Sequence, residues 1–430
     1  MPNIMSKPFI DELYSDSPKI GKSSIPSYWG QLLILGNGFD LQCGLKSSFT
    51  DFYKPRKTMV DLFNRELHRV LTIKRKAQLD LGELTVWDLM LDSPLNNWCD
   101  IEKTIEDWVT DTEKITKIVH ALNEYRKWIQ YKSASFNSFS GLDYESQAVV
   151  YYVSRVDSNL KIPYTPKRLY AFLLSELKRL ELTFTDYLIQ EVKKKNYFDR
   201  STSLLYDLIQ DQYPTDGETE VKNSVLDFNY TNPIQSELSS NMQNDFTLVN
   251  IHGSLRKNNI VFGIDAKDHM DNDGIMPFTK TYRLLFIKDP DRGKLVDTYG
   301  PHTSALNPAT DLIKFYGHSL AQADNSYFQS IFDEVNLYAG QTKLIFYYRP
   351  ANVDYRNPPD DISDREIKSQ QNMAHQVVTL IGKYGKSMDN HDHGENLLHK
   401  LILEGRLEIK LFKYETEKRF EQQQNQLATQ

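Results

Sequence analysis

Leu32, Leu33, Ile34 and Leu35 run without a break into Gly36-Asn37-Gly38, and the chain then continues through a segment that could form a first helical turn. A short apolar run bounded by glycine reads as a buried strand, and a glycine turn from such a strand into a helix is a common phosphate-holding unit of α/β proteins. Strand-like runs return much later as "SVLDFNY", "FTLVNIHG", "NNIVFGID", "DLIKFYGHS", "TKLIFYY" and "RLEIKLFKY". Helix-like "QADNSYFQSIFDEV" and "AHQVVTLIGKYG" lie between some of them. Strands that alternate with helices need crossover connections. The predicted fold class is therefore α/β, a Rossmann-like, mainly parallel sheet.

Residues from about 57 to 195 follow a different rhythm. Met59, Phe63, Leu67 and Val70 fall on one helical face, as do Ile101, Ile105, Trp108 and Val109, and then Leu169, Leu173, Leu177, Leu180 and Phe184. Pro94, Pro163 and Pro166 punctuate this block. The expected organisation is an N-terminal arm (1–28), a sheet domain made of 29–56 and 224–415, a helical insertion subdomain (57–223) that covers the sheet, and a frayed tail (416–430). In "TNPIQSEL", Asn232 is a predicted helix cap with Pro233 in the first turn.

Two cysteines, Cys43 and Cys99, are too few for a disulfide framework or a four-thiolate zinc ribbon. No apolar run is long enough to span a bilayer, so a cytoplasmic protein with no membrane partner is expected. A net charge of -7 gives no overall pull toward nucleic acid.

The candidate chemistry lies at the predicted strand ends. Gly36 and Gly38 would let backbone N–H groups approach a pyrophosphate, with Gly44 as a late third glycine; a turn that needs glycine for packing alone is the plain alternative. In "DFNYTN", Asn229 and its neighbour Tyr230 close a strand, where an amide can act on a ligand or simply brace the turn. His252 in "NIHGS" fits a general base or a turn-satisfying side chain equally well. "YGHSLAQAD" supplies Gly317, His318, Ser319 and Asp324, of which Ser319 and Asp324 also suit capping. "GKSS" lacks the preceding strand and glycine of a P-loop. "NHDHGE" reads as a solvated loop rather than a metal site. The acidic "WCDIEKTIEDW", with Glu102 and Glu106 one helical turn apart, reads as an exposed helix start.

Taken together, "LILGNGFDLQCGL", "WCDIEKTIEDW", "LDFNYTN", "NIHGSL", "VFGID" and "FYGHSLAQADNSYF" resemble the bacteriophage abortive infection AbiH family over Gln31 to Tyr348. More distantly, their order is similar to the NAD-binding core of sirtuin-like proteins. That second resemblance implies that NAD is bound and hydrolysed at its nicotinamide–ribose bond. Gly36, Gly38 and Gly44 would be loop glycines, Asn229 and His252 the catalytic pair, and Gly317 with Ser319 the later motif. Asn37 replaces a small residue and Asp40 stands where the serine would be, so a negative charge near the pyrophosphate favours a ribose hydroxyl or a metal-bridged partner over a bare phosphate. Without Cys-x-x-Cys pairs, structural zinc and protein deacetylation are not expected. The family role implies a phage-derived trigger, and an enzyme that drains NAD needs holding in check, by the N-terminal arm or a homo-oligomer. A nucleotide sensor without catalysis and a metal-dependent nuclease built on the acidic cluster are the alternatives.

Overall fold

The computed structural model describes residues 28–415 and 417, apart from 74–80, 92–98, 132–138, 140, 158, 160, 195, 213, 215–218, 235–245, 268, 289–294, 296–305 and 352. The predicted arm apart from Tyr28, most of the tail and the helix expected after Pro233 lie outside the described residues. Asn232 itself accepts a hydrogen bond from the Ile234 N–H at 2.9 Å, the contact a cap would make.

Six strands form one all-parallel sheet: β1 (Tyr28–Leu35), β2 (Glu220–Asp227), β3 (Phe246–Asn250), β4 (Leu312–Tyr316), β5 (Lys343–Tyr348) and β6 (Leu407–Leu411). Their spatial order is β3-β2-β1-β4-β5-β6, that of dinucleotide-binding α/β sheets, in which the order of strand addition reverses between the neighbours β1 and β4. The Rossmann-like prediction is borne out. Register aligns the strand ends: Leu35 lies opposite Asp227 and Tyr316, and Asp227 lies opposite Asn250. The residues that follow each of these strands therefore emerge along one edge.

Twelve helices are present among the described residues: α1 (Asn37–Gln42), α2 (Phe49–Ile73), α3 (Val86–Met90), α4 (Cys99–Thr110), α5 (Thr112–Tyr131), α6 (Tyr144–Val156), α7 (Pro166–Lys193), α8 (Tyr197–Gln210), α9 (Lys280–Leu285), α10 (Asn325–Glu334), α11 (Ile362–Lys386) and α12 (His391–Leu403). Strand alternation divides the core. Leu32, Ile34, Leu226, Phe315 and Phe346 pack with α10, α11 and α12, whereas Leu33, Leu35, Val225, Ile345 and Tyr347 pack with α1 and α8. α8 thus flanks the sheet, although the sequence grouped it with the insertion.

The helices α2 to α7 bury a third cluster that contains the predicted faces, from Phe63 and Leu67 through Ile105 and Trp108 to Leu180 and Phe184. Thr165 caps α7 through the Arg168 N–H, and Pro166 occupies the first turn. Between α2 and α3, Arg56 grips the fully buried carboxylate of Asp88 through two bonds of 2.6 and 2.7 Å.

Two sequence expectations are corrected. "NNIVFGID" is not a sheet strand. Ile260, Phe262 and Ile264 do alternate toward the helical core, but the segment makes only an isolated bridge, Ile264 to Thr279. The apolar period of two is real, but what it faces is the helical core rather than a neighbouring strand. "NHDHGE" is not a loop. Asn390 caps the first turn of α12, and Gly394 inside that helix lies against Gly385 of α11, where a side chain on either would collide with the other backbone.

Removing the cation from Asp88 leaves a buried charge unpaired. Arg56→Ala is expected to cost about 3–5 kcal/mol, read as a lowered midpoint in chemical unfolding.

Candidate active site

The turn after β1 is built by a close approach of two loops. Gly36 N–H donates to Tyr316 O at 3.0 Å and Gly38 N–H donates to Gly317 O at 2.8 Å. A Cβ on Gly36 would lie 2.4 Å from His318 Cα, and Gly317 takes a φ of +69° with its own Cβ position 2.4 Å from Phe39 N. Glycine is therefore required here by the packing of one strand end on the next. The two N–H groups expected to cradle a pyrophosphate are spent on strand-end carbonyls. Gly44 closes α1, with its N–H on Leu41 O, and is not among the residues lining the cavity described below.

A cavity of about 300 Å³ opens at this edge. Gly36, Asn37, Gly38 and Asp40 reach it from the β1 end, Asn229 and Tyr230 from the β2 end, His252 from the β3 end, and Gly317, His318, Ser319 and Asp324 from the β4 end. Residues 40, 229 and 252, drawn from three separate segments of the chain, thus share one space. Ser319 sits exposed at the rim. Asn37 Oδ1 accepts from Ser47 at 2.5 Å, and Tyr230 donates to Val261 O at 3.0 Å.

Asn229 both braces the turn and lines the cavity. Its Nδ2 donates to Gly36 O at 3.1 Å, which fixes the amide orientation and leaves Oδ1 as the acceptor. Asp40 is buried, and its carboxylate accepts from Tyr197 at 2.6 Å and Thr231 at 2.7 Å. Burial outweighs these two bonds and raises its pKa to about 6. Asp227, at the end of β2, is also held well above the usual carboxylate range by burial and by Asp40.

The charged heart of the site is Asp324. Although it stands at the start of α10, its side chain makes no capping bond. One oxygen, Oδ1, lies 2.9 Å from Lys280 Nζ and 3.5 Å from His252 Nε2, and the other, Oδ2, lies 3.4 Å from His318 Nε2. His318 Nδ1 accepts from the Leu320 N–H at 2.9 Å, so its proton resides on Nε2, toward Asp324. Phe228 meets both imidazoles edge-on, with ring centroids 5.4 and 4.6 Å away. Burial alone would raise the Asp324 pKa, but the Lys280 ammonium and the two imidazoles outweigh it and hold the carboxyl far below its ordinary range.

Glu102 of α4 completes the set, 2.6 Å from Lys280 Nζ. One ammonium serves two buried carboxylates. Burial, with Asp324 nearby, raises Glu102 to about 7 against the pull of Lys280. The sequence reading missed this arrangement. Glu102 has the spacing of an exposed helix face, yet it is buried; its neighbour Glu106 is exposed and 3.4 Å from His269. Lys280 in "FTKTYR" carries no sequence signal. It is placed by its backbone N–H bonding to Ile264 O at the bridge that replaces the expected strand.

Residues 32–348 match the family described as Bacteriophage abortive infection AbiH, about three quarters of the chain. The chain belongs to the AbiH family. Membership supports an anti-phage, abortive infection role, and the matched region of this AbiH protein spans every strand end that lines the cavity. No curated protein and no solved structure matches it. The distant likeness to sirtuin-like NAD-binding cores rests on motifs alone. Among the described residues, no helix is long and apolar enough to cross a membrane.

The raised pKa values set a pH dependence. Between the unfolded carboxyl values near 4 and the folded values of about 6 for Asp40 and about 7 for Glu102, the folded state binds more protons than the unfolded chain. Their stabilising contribution is full below that window and is lost as pH rises through it. Thermal unfolding midpoints between pH 5 and 7 should therefore show a downward trend that is shallower in Glu102→Gln.

Proposed function

We propose that this AbiH protein hydrolyses NAD at the bond between nicotinamide and ribose. The observation that carries the proposal is the convergence of Asn229, His252 and His318 with Asp324 at the point where strand order reverses, the position at which α/β sheets bind nucleotides. The sequence resemblance to sirtuin-like cores points to the same ligand.

Nicotinamide departs as a neutral ring, so cleavage needs no acid on the leaving group. The C1′–N bond breaks with its electron pair going to the ring nitrogen, and positive charge develops on the sugar. Asp324, which lines the cavity and is held ionised there, is suited to that charge. Water adds to C1′, giving ADP-ribose and one proton. His252 accepts that proton, and the adjacent Asp324 stabilises the imidazolium. Asn229 Oδ1, held in place by its Nδ2 bond to Gly36 O, receives a hydrogen bond from the water or from a ribose hydroxyl.

Lys280 weighs against the nuclease alternative, because its ammonium already fills the position between Glu102 and Asp324 where a divalent cation would bridge them. In the abortive response, hydrolysis would deplete NAD in the infected cell.

Incubation of the purified protein with NAD should release nicotinamide, and His252→Ala should slow the release by about 10²–10⁴-fold. Turnover unaffected by that substitution would overturn the residue assignment. Tight NAD binding with no release would make the protein a sensor.

A further inference from the structure

We propose that a second cavity, of about 640 Å³, holds the phosphate-bearing half of the dinucleotide. This rests on the NAD reading of the first cavity. The two spaces share Glu102 and Ala321 as lining residues, so they lie side by side.

Size and charge both require the second space. Pockets for drug-sized ligands run from about 300 to 1,000 Å³, which puts the first cavity at the lower bound, while a dinucleotide exceeds drug size. Nor can the first cavity neutralise a pyrophosphate. The N–H groups of Gly36 and Gly38 are committed to Tyr316 O and Gly317 O. Lys280, the one lysine or arginine lining it among the described residues, is committed to two carboxylates.

The second cavity is lined by Lys103, Lys267, Lys383 and Lys386. Four carboxylates also line it: Glu102 is paired with Lys280, Glu106 lies 3.4 Å from His269, Asp265 accepts from the Ser326 hydroxyl at 3.1 Å, and Asp107 is exposed. Basic residues at the end of α11 would suit the helix dipole without any ligand. That accounts for Lys383 and Lys386 alone. Lys103 comes from α4 and Lys267 from the segment after "VFGID", and their convergence on one space has no such local cause. Four exposed ammonium groups around a concave surface fit a nucleoside diphosphate moiety.

The test is calorimetric titration of the intact protein with ADP, alongside the nicotinamide-release assay. ADP should bind the wild type and compete with NAD. The double variant Lys267→Gln/Lys386→Gln should bind ADP at least about tenfold more weakly while staying folded, with at most a small drop in thermal midpoint from the loss of Lys386 at the helix end. Absence of ADP binding to the wild type, or an affinity indifferent to the double substitution, overturns the second site even if NAD is hydrolysed. Lysine-dependent ADP binding without nicotinamide release supports the second site and removes the hydrolase reading.

Discussion

Parallel pairing of β1 with β2 on one side and β4 on the other is the constraint from which the site follows. Parallel strands in register finish at the same level, so every segment leaving them starts along one edge. The contact of Gly36 and Gly38 with the loop at Gly317 then draws the β1 and β4 ends together until no side chain fits between them. Asn229 ties in the β2 end by its bond to Gly36 O. A cavity at this edge is the remaining space where chain segments diverge, which is the general reason ligands collect where strand order reverses.

Electrostatics decides what that space can do. Buried carboxylates outnumber the cations available to them, so they respond differently to the same burial. Asp324, touched by one ammonium and two imidazoles, stays ionised, whereas Asp40, met only by hydroxyls, and Glu102, sharing its cation, are pushed upward. Environments that separate the pKa values of neighbouring acids are what acid–base chemistry requires. The helical layer contributes directly to this balance, because Glu102 comes from α4 and Lys280 is held at the seam where the Ile264 bridge meets the helical core.

Much of this was legible in the residues. The apolar runs ending in glycine, Asn229 and His252 mark the strand ends because burial on both faces demands continuous apolar sequence and the ensuing turn demands glycine. The helical faces were equally plain, since a period near four needs no knowledge of the partner. "NNIVFGID" misled because alternation records that one side of a segment is buried and not what lies against it. α8 misled because connectivity put it among the insertion helices while Leu204, Leu205 and Leu208 face the sheet.

The sequence by itself determined the six sheet strands and pointed to the four strand ends, since an apolar run and the turn after it are local patterns that say where a strand stops. Tertiary structure alone decided that the N–H groups of Gly36 and Gly38 are consumed by neighbouring carbonyls, that Glu102 is buried, and that Lys280 sits between two carboxylates. These are properties of groups from segments distant in the chain. Desolvation and charge pairing depend on which atoms surround a group in space, and that is set only when the sheet and the helical layer pack together.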